Sequence, residues 1–519
     1  MAKSLIKSTF VVVCMTLISR VFGFIRDMVL AAFFGAGASF DAFSVAFRIP
    51  NFMRRLFAEG SFSQAFVPVL SEYQKRQSHE NIHRFINAIS GTLGVCLFLV
   101  MILGMIFAPF IIRIFAFGFS DSGDRFDLAV TMLRITFPYL FFISLTALSG
   151  AVLNTYNRFW VAAFTPVLLN ISMISAAIWL APNFSKPIVG LAWGVFIAGL
   201  IQLFFQLPFL KRLQLLPRPR FNFKDPGVIR VVRLMVPALF GVSVGQINLL
   251  VDSLFASLLV IGSVSWLYYS DRLMEFPLGV FGVAISTVIL PHLSRYHTTQ
   301  SEHLFSYVID WALRSVLLVG FPATIVLAIL SGPIITTLFQ YGIFTLHDVT
   351  MVQRSLVAFS FGIIPFMLVK VLAAGFYAKQ EMRTPVRIGV IAMLANILLN
   401  ITLIYSLAHA GIALATSLSA IINATGLLFF LRKYNFYQPT AGWKLFIMRL
   451  SIINILLGVV LFVLSNDVSI WIQQSAMWRC YHLALLLLLA ACMYFVLLWI
   501  FGIRVKHMLI SNQKFLTQS

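Results

Sequence analysis

Apolar residues run along this chain in long blocks, and polar residues collect in the short gaps between them. The blocks centre near residues 8–32, 42–70, 86–112, 128–152, 161–182, 187–210, 230–256, 262–292, 308–332, 350–377, 385–405, 410–430, 443–464 and 479–502. Each is long enough to cross the roughly 30 Å hydrocarbon core of a bilayer as a helix. The pattern predicts an all-α polytopic membrane protein of about fourteen spans, numbered 1–14 below. Composition agrees. Only 11% of residues are charged, against about 25% in soluble domains, so the 519 residues are not read as a string of soluble domains. The opening MAKSLIKSTFVVVCMTLISRVFGFIRD has basic residues before an apolar stretch, but that stretch runs into Arg20 and Arg26 without a small-residue cleavage site. It reads as a retained first span rather than a signal peptide.

Charge orients the spans. Lys3 and Lys7 precede span 1, and Lys75, Arg76 and Arg84 lie in the next basic gap. The connection 211–233 holds Lys211, Arg212, Arg218, Arg220, Lys224, Arg230 and Arg233. Further basic groups follow at Lys379, Arg383 and Arg387, at Arg432, Lys433 and Lys444, and at Arg504, Lys506 and Lys514. The alternate gaps are nearly free of basic residues, and FSDSGDRFD at 119–127 is acidic on balance. The positive-inside bias therefore places both termini in the cytoplasm. The formal net charge of +21 follows from this topology and does not point to nucleic acid. Cys14, Cys96, Cys480 and Cys492 fall in or beside apolar blocks without metal-ligand spacing, which reads as helix packing.

An internal echo divides the chain. FSQAFVPVLSEY ends at Tyr73 and AISTVILPHLSRY at Tyr296; both share P-x-L-S-x-Y about 223 residues apart. TPVLLNI (165–171) and GVIAMLANI (389–397) repeat the offset approximately. Spans 1–6 and 7–12 thus read as duplicated halves with the same membrane orientation, an organisation found in secondary transporters. The expected divisions are 1–215 for spans 1–6, 216–435 for spans 7–12 and 436–519 for spans 13 and 14.

Ionisable groups at bilayer depth are costly and mark pathways by default. The first half contributes Arg20, Arg26, Asp41, Arg54, Arg55 and Glu59; the second contributes Asp252, Asp271, Arg272, Glu275 and Lys370. Arg48 lies among them in RIPNFMRRLFAEG. Two readings are open: the charges pair internally and hold the bundle, or the arginines line a chamber for an anion, whose oxygens their donor fork matches. Pro50 and Gly60 in span 2, with Pro277 and Gly279 in span 8, suggest bent or interrupted helices around such a site. Asp252, with Asn396, Asn400 and Thr416, makes an uncertain cation cluster, for which neighbouring helices satisfying polar groups is the ordinary alternative. No H-E-x-x-H or P-loop occurs, which points to a transporter and not an enzyme. No cofactor is expected; an ion gradient, the membrane potential or the substrate's own gradient would drive it.

The runs SRVFGFIRD (19–27), FFGAG (33–37), DAF (41–43), PNFMRRLFAEGSFSQAFVPVLSEY (50–73) and SVSWLYYSDRLMEFPLGVFGVAISTVILPHLS (263–294) closely resemble the MurJ/MviN family of lipid II flippases. FPYLFFISLTALSGAVLNTYNRF (137–159) and VKVLAAGFYAKQEMRTPVRI (369–388) extend the resemblance over essentially the whole chain. It implies a MATE-like fold of two six-helix lobes, alternating access in the bacterial inner membrane, and transport of undecaprenyl-diphosphate-linked GlcNAc-MurNAc-pentapeptide to the periplasmic leaflet. It further implies that Arg20, Arg26, Arg54, Arg55 and Arg272 are cavity arginines, with Asp41 a cavity carboxylate and Lys370 the span-10 lysine. The resemblance also implies a lateral gate between spans 1 and 8, a lipid-tail groove at spans 13 and 14, and a functional monomer. Beyond lipid II and membrane lipids, cell-wall synthesis and division proteins are possible partners. Competing readings are an exporter of another polyprenyl-diphosphate-linked glycan, a drug or cation antiporter, whose cavity would be acidic instead, and a non-transporting scaffold.

Overall fold

The computed structural model describes residues 2–120, 123–298, 302–465 and 467–504. Within these, side chains at 2–10, 13, 57–60, 238, 240–245, 283–284, 286–288 and 296–298 lie outside the description. Helices are the regular elements of the described residues, with no strand among them. The chain divides into two compact units: residues 1–265 with 341–344, and residues 266–340 with 345–519.

The first unit contains α1 (Ala2–Phe34), α2 (Ala38–Met53), α3 (Ser63–Arg76), α4 (His79–Ile106) and α5 (Ala108–Phe115). It continues with α6 (Gly123–Thr136), α7 (Pro138–Thr155), α8 (Phe159–Ser175), α9 (Pro187–Arg212) and α10 (Pro226–Ser257). A π-helical stretch, Arg54–Phe62, joins α2 to α3. Pro50 precedes it inside α2; a proline removes a backbone donor and crowds the carbonyl one turn back, so the helical ladder is disturbed here. Phe62, Phe66 and Phe85 anchor a core beneath α3 and α4 that also takes in Val228 and Val231 of α10.

Within the basic connection 211–233, the stretch that holds Arg218 and Arg220 is tied to α4. Asn87 accepts the Arg218 N–H through Oδ1 at 2.7 Å and the Arg220 N–H through its carbonyl at 3.0 Å. Gly91 permits the approach, because a Cβ there would lie 2.4 Å from the Arg220 backbone. Asp225 then caps α10 by accepting the Gly227 and Val228 N–H groups at 2.9 and 3.2 Å, which satisfies donors that a helix start leaves open. The repeat suggests a division at 215/216, whereas packing draws α10 into the first unit and divides the chain at 265/266.

The second unit is built from α11 (Ser263–Pro277, whose first turn belongs to the first unit), α12 (Val283–Thr298), α13 (Glu302–Ile329), α14 (Ser331–Phe339), α15 (Leu346–Ser360) and α16 (Ile363–Ala378). Then come α17 (Arg383–Lys433), α18 (Trp443–Leu464), α19 (Val468–Gln473) and α20 (Ala476–Ile500). A π-helical turn at Leu278–Gly282 follows Pro277. Spans 2 and 8 are therefore interrupted at corresponding places in the repeat. Asp348 receives the Trp266 indole N–H at 2.8 Å and closes a capping box with Thr345, securing α15 to α11. α17 is two helices run together: Ala408 has φ 48°, and Gly411 fits the hairpin because a Cβ would meet the Leu403 carbonyl oxygen at 2.4 Å.

Nine helical stretches among the described residues are long and apolar enough to cross a membrane. One of them is the whole of α17, which takes in the sequence blocks of both spans 11 and 12. The polypeptide is a multi-span membrane protein. Its outer faces carry large apolar side chains such as Phe462 and Trp499, each 74% exposed, as a lipid-facing surface requires.

Candidate functional site

Span charges fall into two kinds in the first unit. Arg26 is buried and fully engaged: its Nε and Nη2 donate to Asp27 Oδ1 at 2.9 and 2.7 Å, and its Nη1 donates to Asn170 Oδ1 at 2.9 Å. Asn170 on α8 also donates to the Ser19 carbonyl at 3.1 Å. One asparagine thus pins α1 at two points.

Asp41 has no solvent exposure. It accepts the Gly262 N–H at 2.7 Å, the Ser265 N–H at 2.9 Å and the Ser265 hydroxyl at 2.5 Å. These donors begin α11, where a helix offers unpaired N–H groups and the positive end of its dipole. Arg125 approaches the same carboxylate at 3.7 Å while lying over the Phe119 ring at 4.1 Å. Arg48 donates to the Ser253 hydroxyl and, at 3.5 Å, to the Leu249 carbonyl. These groups fasten helices together.

Arg20, Arg54 and Arg55 are only half-buried. Arg54 donates through Nε and Nη2 to Asn51 Oδ1 at 3.0 and 2.8 Å and lines a cavity of about 340 Å³. Tyr139, Thr146, Asn154, Gln202 and Gln206 share that wall. The two glutamines are almost completely buried. Their amide nitrogens are committed to Thr165, at 3.0 Å to its carbonyl and 2.9 Å to its hydroxyl, while their amide oxygens have no partner among the described residues. Such oxygens can accept from hydroxyl or N–H groups. Glu59 belongs to the π-helical stretch beside Arg55, but its side chain lies outside the described residues.

In the second unit, Arg272 Nη1 donates to Glu275 Oε2 at 2.8 Å and its guanidinium lies over the Tyr268 ring at 5.0 Å. Its side chain keeps 27% exposure. Asp271 shares this turn of α11 and is half-buried. Lys370 on α16 is half-buried beside the π-helical turn; its Cδ would lie 3.7 Å from a Cβ on Gly282. Arg54 and Arg55 thus open the interruption in span 2, and Arg272 precedes and Lys370 lies against the one in span 8, whereas Arg20 belongs to α1.

Three of the four residues of the expected cation cluster belong to the second unit. Asn400 Nδ2 donates to Asn396 Oδ1 at 3.1 Å, and Asn396 Nδ2 donates to Thr416 Oγ1 at 3.3 Å. These two bonds link the three residues within the second unit; Asp252 belongs to α10 of the first. Among the described residues no group of three or more His, Cys, Asp or Glu is gathered as a metal site would need.

Asp27, Asn51, Asn170, Arg125, Gln202 and Gln206 were not among the sequence candidates. Asp27 was detectable as the neighbour of Arg26, and Asn170 lies in the TPVLLNI echo. Nothing local distinguishes Arg125 within an acidic loop or the glutamines within an apolar block.

Solved structures share this architecture. An inward-facing multidrug-resistance MATE family transporter of the MOP superfamily aligns over 82% of this chain and 98% of its own, with a TM-score of 0.65 and 12% identity. The fold is that of MOP-type membrane transporters. A lipid II flippase MurJ in an inward closed conformation aligns over 95% of this chain and 98% of its own, with a TM-score of 0.79 and 27% identity. The family model "Lipid II flippase MurJ" matches residues 30–503. Relatives named as probable lipid II flippase MurJ include one from Haemophilus influenzae, 46% identical over 96% of this chain and all of its own. Another, from Vibrio cholerae, is 46% identical over 98% of each chain. The chain belongs to the lipid II flippase MurJ family, whose members are transporters and not enzymes.

Proposed function

We propose that the protein moves lipid II from the cytoplasmic to the periplasmic leaflet of the inner membrane by alternating access, with both termini in the cytoplasm. Arg20, Arg54 and Arg55 of the first unit and Arg272 and Lys370 of the second engage the diphosphate. Asp271, Glu59 and Glu275 orient the basic groups and help release the anion. Arg26 and Asp41, expected to touch substrate, instead hold α1 and the start of α11 in place.

The observation that carries this reading is the half-burial of Arg54 on the wall of a cavity that also carries Asn154, Gln202 and Gln206. A guanidinium there presents a planar donor array to phosphate oxygens, and the neighbouring amides and hydroxyls suit the sugar–peptide head. Spans 13 and 14, here α18 and α20, hold the lipid tail, and the protein works as a monomer. The membrane potential or an ion gradient drives the cycle. Another polyprenyl-diphosphate-linked glycan would satisfy the arginines equally, so the test must include one.

The full-length protein in nanodiscs is titrated with lipid II, with undecaprenyl diphosphate bearing a different glycan, and with undecaprenol. Charge-assisted contacts of about 1.5–3 kcal/mol predict that Arg54→Gln and Arg272→Ala each weaken lipid II binding about 10- to 100-fold. Undecaprenol should bind weakly to all forms. Equal lipid II binding by wild type and both variants would remove the diphosphate role. Tighter binding of the other glycan would replace the substrate.

A further inference from the structure

The second unit contains another cavity, of about 300 Å³, with none of the transport candidates on its wall. It sits where α13, the start of α18 and the turn after α20 come together. Its one acidic lining residue, Asp310, is saturated. It accepts from the Tyr437 hydroxyl at 2.7 Å, the Trp443 indole at 2.6 Å, the Thr440 hydroxyl at 2.6 Å, the Thr440 N–H at 3.2 Å and Arg314 Nε at 2.9 Å. Arg314 is fixed as firmly: Nη2 donates to Thr440 Oγ1 at 2.9 Å and to the Ala441 carbonyl at 3.1 Å. Its guanidinium lies over the rings of Trp443 and Phe446 at 5.0 and 5.4 Å. Asp310 and Arg314 therefore offset each other.

Arg449 and Arg504 line the same cavity and bring two further positive charges. Gly502 places the second of them. Its φ of +75° and the Ile503 N–H to Leu498 carbonyl bond of 2.9 Å close α20 in a left-handed turn, a conformation glycine adopts without steric cost. The chain then folds back so that Arg504 reaches the cavity, with Arg449 Nη1 3.6 Å from where a Gly502 Cβ would stand.

A concave wall with two surplus guanidinium groups, bordered by Trp311, Leu445 and Phe446, fits an anion attached to an apolar body. Its position at the ends of α18 and α20 is the depth at which lipid phosphates lie, and basic pockets between spans take anionic headgroups there. We propose that this cavity binds the phosphate of an anionic phospholipid from the leaflet on the C-terminal side. Residues 505–519 carry Lys506, His507 and Lys514 with no acidic side chain, so their charge does not complement it.

The probe is dioleoyl phosphatidylglycerol, titrated against detergent-purified full-length protein and followed by native mass spectrometry. Phosphatidylcholine and millimolar inorganic phosphate serve as the other arms. Arg449→Gln with Arg504→Gln should weaken phosphatidylglycerol retention about tenfold or more, and the exposed Arg504→Gln alone about threefold. Lys211→Gln with Arg212→Gln, at the end of α9 in the first unit and absent from the cavity wall, should leave retention within about twofold of wild type. Melting temperatures confirm that each variant is folded. Unchanged retention in the folded Arg449/Arg504 variant, or an equal loss in the control, overturns the site. Displacement of phosphatidylglycerol from wild type by inorganic phosphate overturns the lipid as the source of the anion.

Discussion

Asn170 and Asn396 lie 226 residues apart, close to the offset of the internal repeat, and both are buried. Asn170 turns its oxygen to Arg26, and Asn396 turns its oxygen to another amide, that of Asn400. The first half has used its asparagine to stabilise a charge at bilayer depth. The second has used its asparagine to bond neutral groups, the Asn400 amide and the Thr416 hydroxyl. A charged group in a span is therefore no sufficient sign of a transport site. Arg26 spends its donors on the scaffold, while Arg54 and Arg272 retain partial exposure beside the interruptions in spans 2 and 8. The interruptions themselves, Arg54–Phe62 and Leu278–Gly282, recur near the repeat offset, so geometry has been kept where charge placement has diverged.

Substitutions can break this contrast, starting with the most severe. Arg26→Ala removes the guanidinium that Asp27 and Asn170 share in the protein interior and should cost about 3–5 kcal/mol, read as loss of folded protein by fluorescence-detected chromatography. The double change Arg26→Gln with Asp27→Asn removes both charges and should recover much of that folded protein; failure to recover would mean Arg26 does more than fill a pair. Asn170→Ala removes a hydrogen bond to a charged group and should cost about 1.5–3 kcal/mol. Asn396→Ala, at the corresponding place in the other half, removes only neutral bonds and should cost about 1 kcal/mol. Thermal unfolding of the two variants side by side tests that ordering, and equal shifts would erase the distinction. Arg54→Gln should lower stability by about 1 kcal/mol, since Asn51, which accepts two of its hydrogen bonds, can still bond a glutamine amide.

Much of the fold was legible because burial in lipid writes itself as long apolar blocks. The prolines and glycines of spans 2 and 8 marked the interruptions for a local reason, since Pro50 and Pro277 disturb the ladder wherever they sit. The short helices α5, α14 and α19 were not legible, because their apolar residues merge with the neighbouring spans or lie in short connections. Which arginine serves the scaffold was also hidden. Arg26 finds Asn170 at a separation of 144 residues, and Asp41 finds Ser265 at a separation of 224, distances over which no periodicity carries information. Residue type shows what a side chain can bond, and packing decides what it does bond.

The most direct test replaces the native protein in growing cells and labels lipid II from outside, comparing Arg272→Ala with the Arg26→Gln/Asp27→Asn double variant at equal expression. The account predicts that Arg272→Ala is folded and present in the membrane yet leaves lipid II inside, whereas the double variant, to the extent it accumulates, exposes lipid II on the outer leaflet. Outward movement by Arg272→Ala at the wild-type rate, or a well-folded double variant that moves none, would contradict the separation of anion-handling arginines from structural ones.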